Sequence, residues 1–135
     1  MKTQELIERQ QAIIEGLYIC GGKTDVMQYL SLIGEDLPTF DIPEQYTIAG
    51  CLSRTYFRAY IDNEHLFQIE GASQSVIMRG VIQIMRECFC NYSPEEVHAA
   101  GVFWVRDSRL LDMLTPQRQA AIKQMIERIN RVCEV

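Results

Sequence analysis

Between Ser73 and Cys90 the apolar residues Val76, Ile77, Met78, Val81, Ile82, Ile84, Met85, Cys88 and Phe89 surround a helix instead of forming one stripe. Such a helix belongs in the middle of a fold, and the rest of the chain has to cover it. Ser73 is the expected N-cap. Gly80 costs about 1 kcal/mol against alanine inside a helix, so another backbone, such as a strand, is expected to pass close to it.

The segments on either side supply the cover. Leu6, Ile7, Ile13, Ile14 and Leu17 share one helical stripe that stops at Gly21-Gly22. Val26, Tyr29, Leu30 and Ile33 form a second, running from about Thr24 and closed by Gly34. From Leu37 to Cys51, Pro38, Pro43 and Gly50 break any period and predict a surface loop. Thr55, Phe57, Ala59 and Ile61 then alternate with Tyr56, Arg58 and Tyr60, the pattern of a strand. Asp62-Asn63-Glu64 turns the chain, and Leu66 to Glu70 returns as the antiparallel partner before Gly71. Ser93-Pro94-Glu95-Glu96 carries a capping box for a short helix ending at Gly101. A short piece covers Ser108 to Leu114, and Thr115-Pro116 opens a last helix along Ile122, Met125, Ile126, Ile129 and Cys133. The expected fold is α+β: a small antiparallel sheet of about three strands, the third unplaced, packed against several helices in one domain, 1–135.

Composition limits the function classes. At 135 residues and 47% apolar content the chain can bury a core without disulfide or metal staples. A net charge of −5 gives no long-range attraction for a phosphate backbone, which argues against nucleic acid. No window approaches the length of a membrane span and no export signal follows Met1, so a cytoplasmic protein is expected. The odd set Cys20, Cys51, Cys88, Cys90 and Cys133 argues for free thiols over a disulfide framework.

Cys51 is the strongest candidate for chemistry, because it follows Gly50 at the junction of loop and strand, where backbone freedom can present its sulfur. A reactive thiolate needs a stabilising cation or helix N-terminus. Arg118, in the first turn of the last helix, could offer both. Against this stands the plain reading of Cys51 as a turn residue without a role, since a Gly-Cys pair is a weak motif. Cys88 and Cys90 lack the second pair a structural zinc site requires, and Cys88 falls among core positions. Cys20 and Cys133 read as structural. His65 and His98 read as exposed, Trp104 as core, and no nucleotide-binding or cysteine-protease signature is present.

Taken in order, several motifs resemble the SufE family of sulfur-acceptor proteins. Gln28-Tyr29-Leu30-Ser31-Leu32-Ile33-Gly34 with Leu37-Pro38 is similar to its "YxxLIxLGxxLP", and Ile48-Ala49-Gly50-Cys51-Leu52-Ser53-Arg54 to its "VPGCQSQ". Gly71-Ala72-Ser73 through Arg79-Gly80 is similar to "GDSDxxIVKG", and Leu114-Thr115-Pro116-Gln117-Arg118 to "LTPSR". The resemblance spans about residues 24 to 131. It implies a SufE/IscU-like α+β fold and a cysteine desulfurase partner whose persulfide is attacked by the Cys51 thiolate. Arg118 would steady the anionic sulfur, and an iron–sulfur cluster scaffold would receive it. The resemblance also implies no cofactor of the chain's own beyond a transient persulfide on Cys51, the pyridoxal phosphate belonging to the desulfurase; a homodimer is a further family-level expectation.

The chain departs from the family pattern at Tyr46, Ala72, Gln74, Arg106, Asp112-Met113 and Gln119-Ala120-Ala121. Arg106, basic where the family is often acidic, could itself stabilise a thiolate. These departures leave two other readings open: a noncatalytic module that docks a desulfurase without taking sulfur, and a metal or cluster scaffold on Cys51, Cys88 and Cys90.

Overall fold

The computed structural model describes residues 1–134. Helices α1 (Thr3–Cys20) and α2 (Lys23–Gly34) come first, and a 3₁₀ turn at Glu44–Tyr46 interrupts the long loop that follows. The hairpin β1 (Thr55–Ile61) and β2 (Phe67–Ser73) leads into the central helix α3 (Val76–Phe89). Then come α4 (Pro94–Ala100), α5 (Trp104–Asp107), a 3₁₀ turn at Leu110–Met113, and α6 (Pro116–Val132). α3 packs between α2 and β2, α6 covers β1, and α1 closes the far side against α4 and α5. The architecture is α+β, as the alternation of patterns predicts.

The hairpin pairs Thr55 with Ser73, Phe57 with Gly71 and Ile61 with Phe67. Phe57, Phe67 and Ile69 point into the core, on the face the alternation assigns inward. Among the described residues two strands make the sheet, where about three were expected. A single bridge, Thr47 to Tyr56, stands where a third would lie. A long side chain takes the carbonyls of Tyr46 and Thr47, which a ladder would otherwise have used: both accept from Arg128, at 2.9 Å.

Three glycines act through closeness. Gly71 does not end the return strand but sits inside it, because a Cβ there would lie 2.6 Å from Ile82. At Gly34 a Cβ would lie 2.8 Å from the carbonyl oxygen of Val76, so that residue serves contact with α3 as well as the end of α2. At Gly80 the expected neighbour is a helix, not a strand: a Cβ would lie 2.1 Å from the carbonyl oxygen of Leu30 in α2.

The cap of α3 is Ser75, not Ser73. Ser75 Oγ accepts from Met78 N–H at 3.3 Å, while Ser73 Oγ lies 2.8 Å from Thr55 Oγ1 across the hairpin. Ser75→Ala should therefore lower the unfolding free energy by about 1 kcal/mol, read as a smaller urea midpoint at constant slope. An unchanged midpoint would show that the first turn of α3 needs no cap. The capping box at Ser93 and Glu96 forms as the sequence indicates. Trp104 is fully buried, and the Gln10 amide, a buried polar group with no sequence signal, ties α1 to Gly101, Phe103 and Trp104.

Candidate functional site

The loop that ends at Cys51 is anchored on both sides. On the way in, Ile48 is buried and its N–H donates to the carbonyl of Thr55 at 2.8 Å. On the way out, Arg54 N–H donates to Gln74 Oε1 at 3.2 Å, and Gln74 N–H donates to the Arg54 carbonyl at 3.0 Å. Between these anchors Gly50 adopts φ +79°, a left-handed turn that glycine takes without strain. Cys51 is half-buried beyond it.

Its sulfur-bearing segment opens on a cavity of about 210 Å³ lined by Cys51, Leu52, Ser53, Thr55, Ser75, Met78, Thr115, Gln117 and Arg118. Two helices begin at this cavity. Ser75 caps α3, and Thr115 Oγ1 caps α6 by accepting from Arg118 N–H at 3.3 Å. Each N-terminus directs the positive end of a helix dipole toward the same space. Arg118 adds a full charge and makes no ion pair among the described residues. The arrangement suits an anion, and the two residues singled out from the sequence, Cys51 and Arg118, line one space.

Arg106 does not belong to it. It is exposed on α5, its Nε donates to Asp107 at 2.8 Å, and that carboxylate raises its pKa. Of the other departures, Ala72 lies in β2 opposite Tyr56, Gln74 holds Arg54, and Met113 sits in the second 3₁₀ turn. His65 and His98 are exposed, and His65 pairs with Glu95 at 2.9 Å.

The remaining thiols have other surroundings. Burial pushes Cys88 up to about 12 and Cys133 up to about 11, so both stay protonated at neutral pH. Burial also raises Cys90, whose Sγ accepts from Ile69 N–H at 3.3 Å. Cys51 lies by the start of α3 and Cys88 and Cys90 at its end, roughly 20 Å apart along 14 residues of helix. One metal ion cannot take all three as ligands, and no group of three or more His, Cys, Asp or Glu among the described residues could hold one.

Sequence reasoning passed over Arg128. Its guanidinium donates to the carbonyls of Tyr46, Thr47 and Phe57 and so fixes the start of the Cys51 loop to α6 and β1. Burial without a carboxylate partner lowers its pKa, with Arg131 adding to the effect. Nothing in the helical pattern distinguishes it from a solvated arginine. No helix among the described residues is long and apolar enough to cross a membrane. Compared with known families, residues 11–133 match the family model of SufE, described as the Fe-S metabolism associated domain.

Proposed function

The chain belongs to the SufE family, the Fe-S metabolism associated domain, and from that premise we propose that it accepts sulfur on Cys51 from a cysteine desulfurase and passes it to an iron–sulfur cluster scaffold. The observation that carries this reading is the shared cavity: a loop cysteine, an arginine without an ion-pair partner among the described residues, and two helix N-termini face one space. In the transfer, the Cys51 thiolate attacks the outer sulfur of the partner's persulfide. The bond from that sulfur to the partner's cysteine breaks, the partner leaves as a thiolate, and the sulfur is now bonded to Cys51. The exchange balances without an external oxidant or reductant. Pyridoxal phosphate, which frees sulfur from cysteine, is the partner's.

The charge departs with the partner's thiolate and the transferred sulfur arrives carrying its proton; once that proton passes to the leaving thiolate or to solvent, negative charge rests on the outer sulfur of Cys51, and the surroundings answer it. Each helix N-terminus stabilises a nearby anion by about 0.3 to 1 kcal/mol, and the Arg118 guanidinium supplies the larger share as a charged donor. The cavity also limits contact of a persulfide with water and oxidants, which would destroy it. Leu52 and Val76, 85% and 51% exposed, leave an apolar rim near the sulfur that suits a docked protein partner.

The direct test incubates the protein with a desulfurase and cysteine and examines the Cys51 peptide by mass spectrometry. One added sulfur atom on that peptide is the expected result; its absence with several desulfurases would remove the proposal. Arg118→Ala should slow sulfur uptake about tenfold, the value of one charge-assisted hydrogen bond in a half-open site. Arg118→Lys should recover part of the loss. An unaltered rate in Arg118→Ala would leave the helix termini as the sole stabilising groups.

A further inference from the structure

α6 meets the Cys51 segment at more than one level. Its first turn carries Arg118 to the cavity, and further along the helix Gln124 grips the backbone two residues before the cysteine. Ala49 N–H donates to Gln124 Oε1 at 3.2 Å, and Gln124 Nε2 donates to the Ala49 carbonyl at 2.9 Å, so one amide satisfies both polar groups of one residue. Arg128, four residues on and on the same helical face, holds Tyr46 and Thr47. The two attachments differ in strength. Bonds from a guanidinium are about twice as strong as neutral ones, and those of Arg128 are partly buried, whereas the Gln124 pair lies at the surface.

We propose that Gln124 is a positioning residue for sulfur transfer: its paired hydrogen bonds to Ala49 latch Cys51 beside Arg118, and their opening releases the sulfur toward the partner. Ile48, bonded to the Thr55 carbonyl, is the pivot that stays fixed when the latch opens, with Arg128 holding the chain behind it. The inference rests on the sulfur-acceptor reading and adds to it the element that controls when the sulfur leaves its cavity.

A single opening equilibrium then governs three quantities, which must change by the same factor. They are alkylation of Cys51 in the free protein, the acceptor concentration that half-saturates the desulfurase, and loss of bound sulfur to a small thiol. Gln124→Met keeps the length and helix propensity of the side chain and removes both bonds. It should alkylate Cys51 with iodoacetamide about fivefold faster, the effect of two exposed neutral hydrogen bonds. The half-saturating concentration should fall, and sulfur loss to dithiothreitol should accelerate, by the same ratio. Gln124→Glu keeps an acceptor for Ala49 N–H but no donor for its carbonyl, and should fall between wild type and Gln124→Met. Alkylation of the methionine variant within twofold of wild type would overturn the latch, as would faster alkylation with no change in half-saturation. If the wild type takes up no sulfur at all, the acceptor reading falls, and the alkylation ratio still decides whether Gln124 holds the segment.

Discussion

Cys51→Ser is expected to take up no sulfur from a desulfurase, while its thermal unfolding stays close to that of the wild type. The loss should be complete because a serine hydroxyl is neither ionised at neutral pH nor able to form the sulfur–sulfur bond on which the exchange depends. Three of the other four thiols are poorly placed to stand in. Cys88 and Cys133 are buried and held protonated, and Cys90 is tied to Ile69 at the far end of α3. Stability should change by no more than about 1 kcal/mol, since the side chain is only half-buried and meets the core from a loop at its edge. Cys20→Ser serves as the control and should load normally. Sulfur on a peptide other than that of Cys51, or loading of the serine variant, would contradict the assignment. Stimulation of the desulfurase by the serine variant as strong as that by wild type would favour docking without transfer.

Gly80→Ala is expected to be the most damaging glycine-to-alanine substitution in the structure. Helix propensity alone predicts a gain of about 1 kcal/mol from alanine. The added methyl would, however, lie 2.1 Å from the Leu30 carbonyl oxygen, a backbone atom that no rotamer change can move aside. α2 and α3 would have to separate, loosening Leu30, Val26 and Val81, all fully buried. Overpacking that forces side chains off their rotamers and shifts backbone typically costs about 1 to 3 kcal/mol, and a backbone clash this close belongs at the upper end, so the steric term decides the sign. A net loss of about 2 kcal/mol, the upper steric cost less the propensity gain, should appear as a lower urea midpoint. A variant as stable as wild type would mean that the two helices can slide apart without cost.

What could be read from the chain in advance was whatever depends on local pattern. The density of apolar residues from 76 to 89 placed α3 at the centre, although the structure leaves Val76 and Glu87 exposed on one side of it, and alternation from Thr55 assigned the inward face of β1. Gly80 announced a close neighbour, but a single glycine does not encode whether helix or strand supplies it. The cap of α3 was misplaced by two residues because Ser73 and Ser75 are equivalent as local signals. Pairing across the hairpin, visible only in three dimensions, occupies Ser73 with Thr55. At the site, Cys51 and Arg118 stood out by loop context and by the Thr-Pro start of α6. Gln124 and Arg128 did not, since their partners lie 71 to 82 residues away and are backbone atoms, which carry no sequence signature. Arg106 misled for the opposite reason: its charge was noticed, but its neighbour Asp107 neutralises it.

The anchors at Ala49 and Arg54 also set a mechanical limit. Five Cα–Cα links of about 3.8 Å form the tether between them, so its tip can extend no more than about 9 Å from the body even when fully stretched. Freeing Ala49 lengthens the tether by a single link, to the next anchor at Ile48. A protein that exchanges sulfur with this chain must therefore bring its own reactive atom almost to the surface of the carrier, and donors recessed in a deep, narrow shaft are out of range.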